Sequence, residues 1–359
     1  MKRVWQVLAG IGILAGIYTT YGGLKAVVWS DLIQGVALLL GGTLVTVLCL
    51  VEIGGVGEFL RLGADKLHTV LPADHPEMPW VAVFIGGLWI PNLFYWGLNQ
   101  FITQRTLAAR SLKDGQRGIM LAAAIKLVIP IIIVFPGIMA AHLYPEKIGL
   151  ADQAYPVLIR EVLPAGLTGI MFAALFGAVL SSLDSLLNSA ATIFTMDVYK
   201  RHLRPRATSA DLIGVGRIAT AALVIVGCLW APVVARAGSV FDYIQMFWGF
   251  ISPGIVAVFV LGLLWRRVPP AAAVGAMVLG VPIYGALLGA FPDVAFLHHM
   301  AITFLVLVVY MTVVTLIRPM AEAPSMPVRT EIDLKSSSTI KWAGAAILLA
   351  TAALYAVFW

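Results

Sequence analysis

GLTGIMFAALFGAVLSSLDSLLNSAATIFTMDVYK, residues 166–200, decides how the rest of this chain is read. It is too apolar for a soluble surface helix and too rich in hydroxyls for a plain membrane anchor. At about 100° per residue, Ala178, Ser181, Ser182, Ser185 and Ser189 share one narrow helical stripe, with Asp184 and Asn188 along its edge. A membrane helix that aligns hydroxyls, an amide and a carboxylate has a use for oxygens.

The whole chain is built of similar material. Its 359 residues are 60% hydrophobic and 12% charged, with mean hydropathy +0.95, whereas roughly a quarter of a soluble domain is charged. Long apolar runs separated by short charged loops predict an all-α polytopic membrane protein. Alternating ten-residue segments are missing from the sequence, which argues against a barrel. The net charge of +6 follows loop topology, so the expected surroundings are a lipid bilayer and not nucleic acid. Cys49 and Cys228 lie inside apolar runs, and the six histidines lack zinc-ligand spacing. Lys2 and Arg3 precede an apolar run, but no small-residue cleavage site follows it.

About ten transmembrane helices are predicted, at 4–20, 26–53, 81–104, 118–143, 163–196, 212–235, 241–265, 271–290, 299–317 and 340–359. Basic residues concentrate in the loops holding Lys25, Arg105 to Arg117, Lys200 to Arg217, Arg266 and Arg267, and Arg318 to Lys341. The positive-inside rule makes that side cytoplasmic and puts both termini outside. Lys2 and Arg3 then sit on the disfavoured side, an expectation that something is missing upstream. The longer loops, 54–80 and 320–339, read as polar connectors.

Glycine and proline mark breaks in two spans. The third carries Gly86, Gly87, Pro91 and Gly97 around Trp89, Asn92, Tyr95 and Trp96. The seventh carries Ser252, Pro253 and Gly254 just after Tyr243 and Gln245. A lone proline usually makes an ordinary kink, but breaks flanked by aromatics and amides point to a binding cavity.

Three ionisable groups lie within spans: Asp31, Lys126 and Asp184. Each costs roughly 2.5–3.5 kcal/mol at the bilayer centre, so each is expected to face a cavity or a partner. A packing ion pair is the plainer reading, and Asp31 lies close to the end of its span. A single membrane serine likewise often bonds the carbonyl one turn back or lets helices approach. Ser181, Ser182 and Ser185 beside a carboxylate suit a hard cation such as sodium, with a second helix supplying the remaining oxygens. Protonation of Asp184 is the competing use of that carboxylate. No P-loop, GxSxG or HExxH motif supports an enzyme, and no filter sequence supports a channel.

In four segments the chain resembles the sodium:solute symporter family, in its sodium/sugar (glucose/galactose) cotransporter branch. They are YGGLKAVVWSDLIQ (21–34), GGLWIPNLFYWGLNQFITQRTLAAR (86–110), residues 154–200, and YIQMFWGFISPGIVAVFVL (243–261). With the spans between them the likeness covers essentially the whole chain.

The resemblance implies the leucine-transporter-type inverted-repeat fold, N-terminally incomplete here because the chain begins at what resembles the fourth core helix. Residues 1–53 would be the remnant of the first repeat, 81–265 the second repeat, and 271–359 three peripheral helices. It implies sodium ligands at Ala178, Ser181 and Ser182, with a second site or exit path at Asp31, Asp184 and Ser185. Several relatives carry a small neutral residue at the position of Asp184. Asn92, Lys126, Gln245 and Trp96 match sugar-binding positions, and Tyr95 matches a gate. That polar and aromatic set also suits a hydroxyl ring with an apolar face. The expected activity is sodium-coupled import of a hexose-like sugar across a bacterial inner membrane, incomplete in this chain alone. A polyol, sialic acid or amino acid symporter and a non-transporting membrane protein are the alternatives. No feature sets an oligomeric state.

Overall fold

The computed structural model describes residues 2–76, 78–234, 239–323 and 337–359, with the side chains of 2–9 and 13–27 excepted. Fourteen α-helices occupy this range: α1 (Lys2–Glu52), α2 (Val56–Leu62), α3 (Trp80–Phe84), α4 (Trp89–Leu93), α5 (Gln100–Leu107), α6 (Leu112–Leu143), α7 (Ala154–Val162), α8 (Ala165–Ile193), α9 (Ser209–Val234), α10 (Val240–Trp248), α11 (Ser252–Leu264), α12 (Pro270–Ala290), α13 (Phe296–Ile317) and α14 (Ser338–Val357). Two stretches, Phe94–Leu98 and Phe194–Leu203, are π-helical continuations of α4 and α8.

Eight helical stretches are long and apolar enough to cross a bilayer, and the bent pair α10–α11 makes a ninth among the described residues. These are nine of the ten expected spans. The span expected at 4–20 falls largely on side chains outside the described residues. The connection expected at 21–25 is helical, because α1 runs unbroken from Lys2 to Glu52. Gly22 and Gly23 lower helix propensity by about 1 kcal/mol each, but with no proline present nothing forbids the turn. The loop at 54–80 is partly ordered by α2 and a short 3-10 turn, Ala64–Lys66. Most of 320–339 lies outside the described residues. After α1, Gly54 and Gly55 both take φ of +99°, which suits glycine, and Gly55 N donates to Leu50 O at 2.7 Å to close the helix end.

The chain folds as two compact units, 1–66 with 122–240 and 67–121 with 241–359. In the first, α1 packs antiparallel on α8 through small residues. A Cβ placed on Gly177 would lie 3.0 Å from Gln34 Nε2, and one on Gly41 would lie 2.4 Å from Met171 Sδ. Close backbone approach through small residues is how membrane helices gain contact without a hydrophobic driving force. Phe59 against Phe135, centroids 4.9 Å apart, ties α2 to α6.

The second unit has an apolar core cluster, with Ala82, Ile90, Val256, Tyr284, Leu297 and Met300 all fully buried. Gly87 lies so close to α13 that an added Cβ would come within 2.1 Å of the Leu297 carbonyl oxygen. Trp89 packs edge-on against Phe304 at 5.0 Å. Gly275 faces Tyr310 and Gly280 faces Leu307, so α12 and α13 run antiparallel.

Candidate functional site

The stripe on α8 meets α1 in the first unit. Ser181 Oγ donates to the Asp31 carboxylate, joining the two helices. A serine whose proton goes to a carboxylate keeps its lone pairs for a cation, and the carboxylate supplies the opposing charge. Ser185 Oγ donates to the Ser181 carbonyl at 2.9 Å, the one-turn-back bond that a lone membrane serine is expected to make. Asp184 and Ser185 are buried with 0% and 1% exposure, and Ser181 is buried as well. Ser182 is exposed and Ala178 half-buried, so the stripe has a covered edge and an open edge. Asp31, near the end of its expected span, is thus held by a specific partner on another helix.

Gln34 lies beside this crossing, one turn after Asp31. Its amide donates to Ser30 Oγ at 2.7 Å, and its side chain lies over Gly177. In the sequence Gln34 is marked only by lying within the segment 21–34. Its spacing of three residues from Asp31 was the available signal.

The residues expected to bind sugar gather around the breaks of the second unit, apart from Lys126. α4 gives way to the π-helical stretch Phe94–Leu98, and the chain turns extended at Asn99, whose side chain accepts from Phe101 N at 3.3 Å. π-helical insertions are frequent at functional sites. Here the insertion carries Tyr95 and Trp96, whose rings meet edge-on at 4.9 Å. Tyr95 also packs on Phe101 at 5.5 Å and on Trp248 at 4.9 Å. Trp248 ends α10, three residues after the buried Gln245. Tyr95 and Trp96 are therefore brought to the helix end that presents Gln245. Asn92 is exposed, with its amide donating to the Leu88 carbonyl at 2.9 Å. Lys126 is exposed on α6 and belongs to the first unit. Trp248 is the aromatic that sequence reasoning missed, although it stands within the quoted segment 243–261.

The seventh span breaks in the turn that precedes Pro253. α10 and α11 meet at 42°. Gly249, Phe250 and Ile251 donate to the carbonyls of Met246, Phe247 and Trp248, and Pro253 falls in the first turn of α11. Proline is harmless there, because its missing N–H would have no intrahelical partner.

Comparison with known proteins gives this arrangement a family. Residues 4–280 match the sodium:solute symporter family. A sodium/glucose cotransporter of Vibrio parahaemolyticus is 37% identical, the match covering 98% of this chain and 70% of that protein. The uncharacterized symporter YidK of Escherichia coli (strain K12) is 35% identical over 98% of this chain and 63% of its own length. Human sodium/myo-inositol cotransporter 2 is 36% identical over 76% of this chain and 46% of its own. The chain thus spans about two thirds of the two bacterial relatives and about half of the human one. Among solved structures, the substrate-bound outward-open state of a Na+-coupled sialic acid symporter superposes with a TM-score of 0.73 at 23% identity. That match covers 89% of this chain and 68% of the other, and it shows a shared leucine-transporter-type fold. This chain, a multi-pass membrane protein, belongs to the sodium:solute symporter family.

Proposed function

We propose that this chain carries ion- and sugar-binding elements of a sodium-coupled secondary symporter that imports a hexose-like sugar by alternating access. The observation that carries the reading is the Ser181–Asp31 contact between α8 and α1, which puts a hydroxyl oxygen and a carboxylate together within a membrane span. Sodium is held at Ala178, Ser181 and Ser182, with Asp31, Asp184 and Ser185 forming a second site or exit path. Sugar is bound by Asn92 and Gln245 with Trp96 on its apolar face, and Tyr95 closes over it as a gate. The protein works in a bacterial inner membrane with both termini outside.

Coupling follows from linkage. An ion that binds one conformational state more tightly raises the population of that state, and a sugar that prefers the same state then binds more tightly by the same factor. The sodium gradient thereby drives sugar accumulation without any chemical step in the protein.

The test is Ser182→Ala in the native gene product, with sodium-dependent sugar uptake measured against sodium concentration. Ser182 lies on the open edge of the stripe, so the substitution is expected to leave membrane insertion intact and to raise the half-saturating sodium concentration several-fold. Unchanged sodium dependence removes Ser182 from the ion site.

A second reading is a cyclic polyol substrate, favoured by the relatives named as sodium/myo-inositol cotransporters. Such a ring presents the same hydroxyl girdle to amides. Competition of unlabelled glucose, galactose, myo-inositol and sialic acid against a labelled substrate separates these solutes.

A further inference from the structure

Where α8 passes into its π-helical continuation, the surface changes from apolar to basic. The segment 200–206 holds Lys200, Arg201, Arg204 and Arg206. The three arginines are exposed and Lys200 is half-buried. Asp197 is the one carboxylate between Phe194 and Thr208. The next along, Asp211, is taken up at the start of α9, where its Oδ2 accepts from Thr208 N and Thr208 Oγ1 at 2.9 Å each. Among the described residues none of the four cations forms an ion pair. Elsewhere charged neighbours do pair: Arg117 lies 3.8 Å from Asp114, and Lys147 lies 2.7 Å from Glu161.

The backbone holds this patch in place. Arg204 N donates to Tyr199 O at 2.7 Å and closes the π-helical stretch, and Ala207 N donates to Arg204 O at 3.1 Å as the chain turns toward α9. One side of the stretch is packed, because Thr195 is buried and a Cβ on Gly216 of α9 would stand 3.6 Å from its Oγ1. The other side faces outward, and it is not purely polar: Leu203, between Arg201 and Arg204, is 63% exposed.

Depth follows from length. α8 and its continuation run 39 residues, Ala165–Leu203, whereas about 20 cross the hydrocarbon of a bilayer. Charged side chains do not stay in hydrocarbon, so the surplus lets the basic end emerge in the headgroup layer. At that level an exposed leucine reaches acyl chains while long basic side chains extend to the headgroups. Loop cations that serve only topology need to lie on one side of the membrane. They need not be clustered, left without carboxylates, or interleaved with exposed apolar groups. A partner that fits all three features carries negative charge beside an apolar chain at the membrane surface. Three of the four cations are arginine, whose planar fork matches phosphate oxygens in pairs, and lysine adds a point charge.

We propose that the segment 200–206 is a docking site for anionic phospholipid. Arg201, Arg204 and Arg206, with Lys200, hold the phosphodiester, and Leu203 rests against the acyl chains. The site requires a membrane-embedded chain and nothing about which solute or ion is carried.

Lipid binding to the purified chain in detergent, read by native mass spectrometry, tests this. Dioleoyl phosphatidylglycerol is expected to bind about 10-fold or more tightly than dioleoyl phosphatidylcholine in about 0.05 M ammonium acetate, with the preference shrinking in about 0.5 M. Equal binding of the two lipids by the parent chain overturns the proposal. Replacing Lys200, Arg201, Arg204 and Arg206 together by Gln should bring the two lipids within about 2-fold of each other. The control pair Arg110→Gln with Lys113→Gln, in another basic loop, should keep the preference. A preference that survives the fourfold change places the lipid elsewhere, and one that the control pair removes equally reports total charge; either overturns the site. Should the fourfold variant fail to fold, Arg201→Gln with Arg204→Gln is expected to cut the preference about 3-fold or more, and no change overturns the proposal. Leu203→Gln, which leaves every charge in place, should weaken phosphatidylglycerol binding, and inorganic phosphate in about 10-fold excess should not displace the lipid. Unchanged binding by Leu203→Gln together with displacement by phosphate would make this a site for a free anion and overturn the lipid assignment.

Discussion

Along the α1–α8 crossing, polar side chains project from two helices that run through the contact without interruption, and they bond one another. Ser181 meets Asp31, Gln34 meets Ser30, and Ser185 reaches back along its own helix. In the second unit the helices themselves are interrupted. The π-helical turn at Phe94–Leu98 and the bend at Gly249–Ile251 bring aromatic rings and Gln245 together, while Ser252, Tyr284 and Thr303 find no protein partner. Side chains on intact helices can present a fixed set of oxygens to a small hard ion. Broken helices expose backbone and can reshape, which suits a larger solute with many hydroxyls.

If rigidity differs between the regions as their packing does, Gly87 is the place to break the second unit. An added Cβ there meets the Leu297 carbonyl at 2.1 Å and Met300 Cβ at 2.7 Å, and backbone cannot step aside as a flexible side chain can. Gly87→Ala is expected to destabilise by about 3 kcal/mol or to prevent folding, by overpacking where the link between α3 and α4 meets α13. Thermal unfolding in detergent measures it, and a near-neutral result would mean that this contact is looser than its geometry.

Asp31→Asn probes the first unit at its charge. The amide keeps the size and can still accept from Ser181, but it removes the negative charge that balances a cation. The half-saturating sodium concentration for uptake should rise about 10-fold or more, corresponding to loss of one charge-assisted interaction, with little change in melting temperature. A large stability loss with unaltered sodium dependence would instead make Asp31 a packing residue.

The two regions were not equally legible in the sequence. The serine stripe could be read because a regular helix repeats about every 100°, so spacing alone places Ser181 and Ser185 on one face. What spacing could not supply was the partner: Asp31 stands 150 residues away, and only the packing of α1 on α8 selects it. The breaks were visible as Gly86, Gly87, Pro91 and Ser252-Pro253-Gly254, but their direction was not. A proline reports that a helix is disturbed, and it does not say that Tyr95 will land on Trp248. The same limit explains Tyr284, which reads as an ordinary membrane tyrosine until Gly249, which faces its ring, shows where its hydroxyl goes. At 21–25 the error ran the other way, because two glycines imitate a loop that the backbone does not make.

A milder substitution sharpens the contrast with Gly87. A Cβ on Gly41 would lie 2.4 Å from Met171 Sδ, nominally as severe a clash. The obstacle here is the middle of a long unbranched side chain that can adopt another rotamer. Gly41→Ala should therefore cost about 1 kcal/mol or less, partly offset by the better helix propensity of alanine. A loss equal to that of Gly87→Ala would show that α1 and α8 are as tightly locked as the second unit.

The smallest effect is expected where unit one meets water. Lys147 Nζ lies 2.7 Å from Glu161 Oε2, between the 3-10 turn after α6 and the end of α7. The hydrogen bond from Lys147 holds the Glu161 carboxyl below its ordinary value. A carboxyl whose folded value is depressed adds stability above its unfolded pKa, about 4.3, and loses that contribution as pH falls through the folded value. Lys147→Ala should thus melt slightly below the parent protein from pH 8 to about 5.5, with the gap closing below about pH 4. Because the pair is solvent-screened, the gap should be no more than about 1–2 °C and should shrink in high salt. A larger, salt-insensitive gap would mean that polar pairing steadies the first unit at its rim as well as at the α1–α8 crossing, and the contrast with the second unit would then extend beyond the membrane spans.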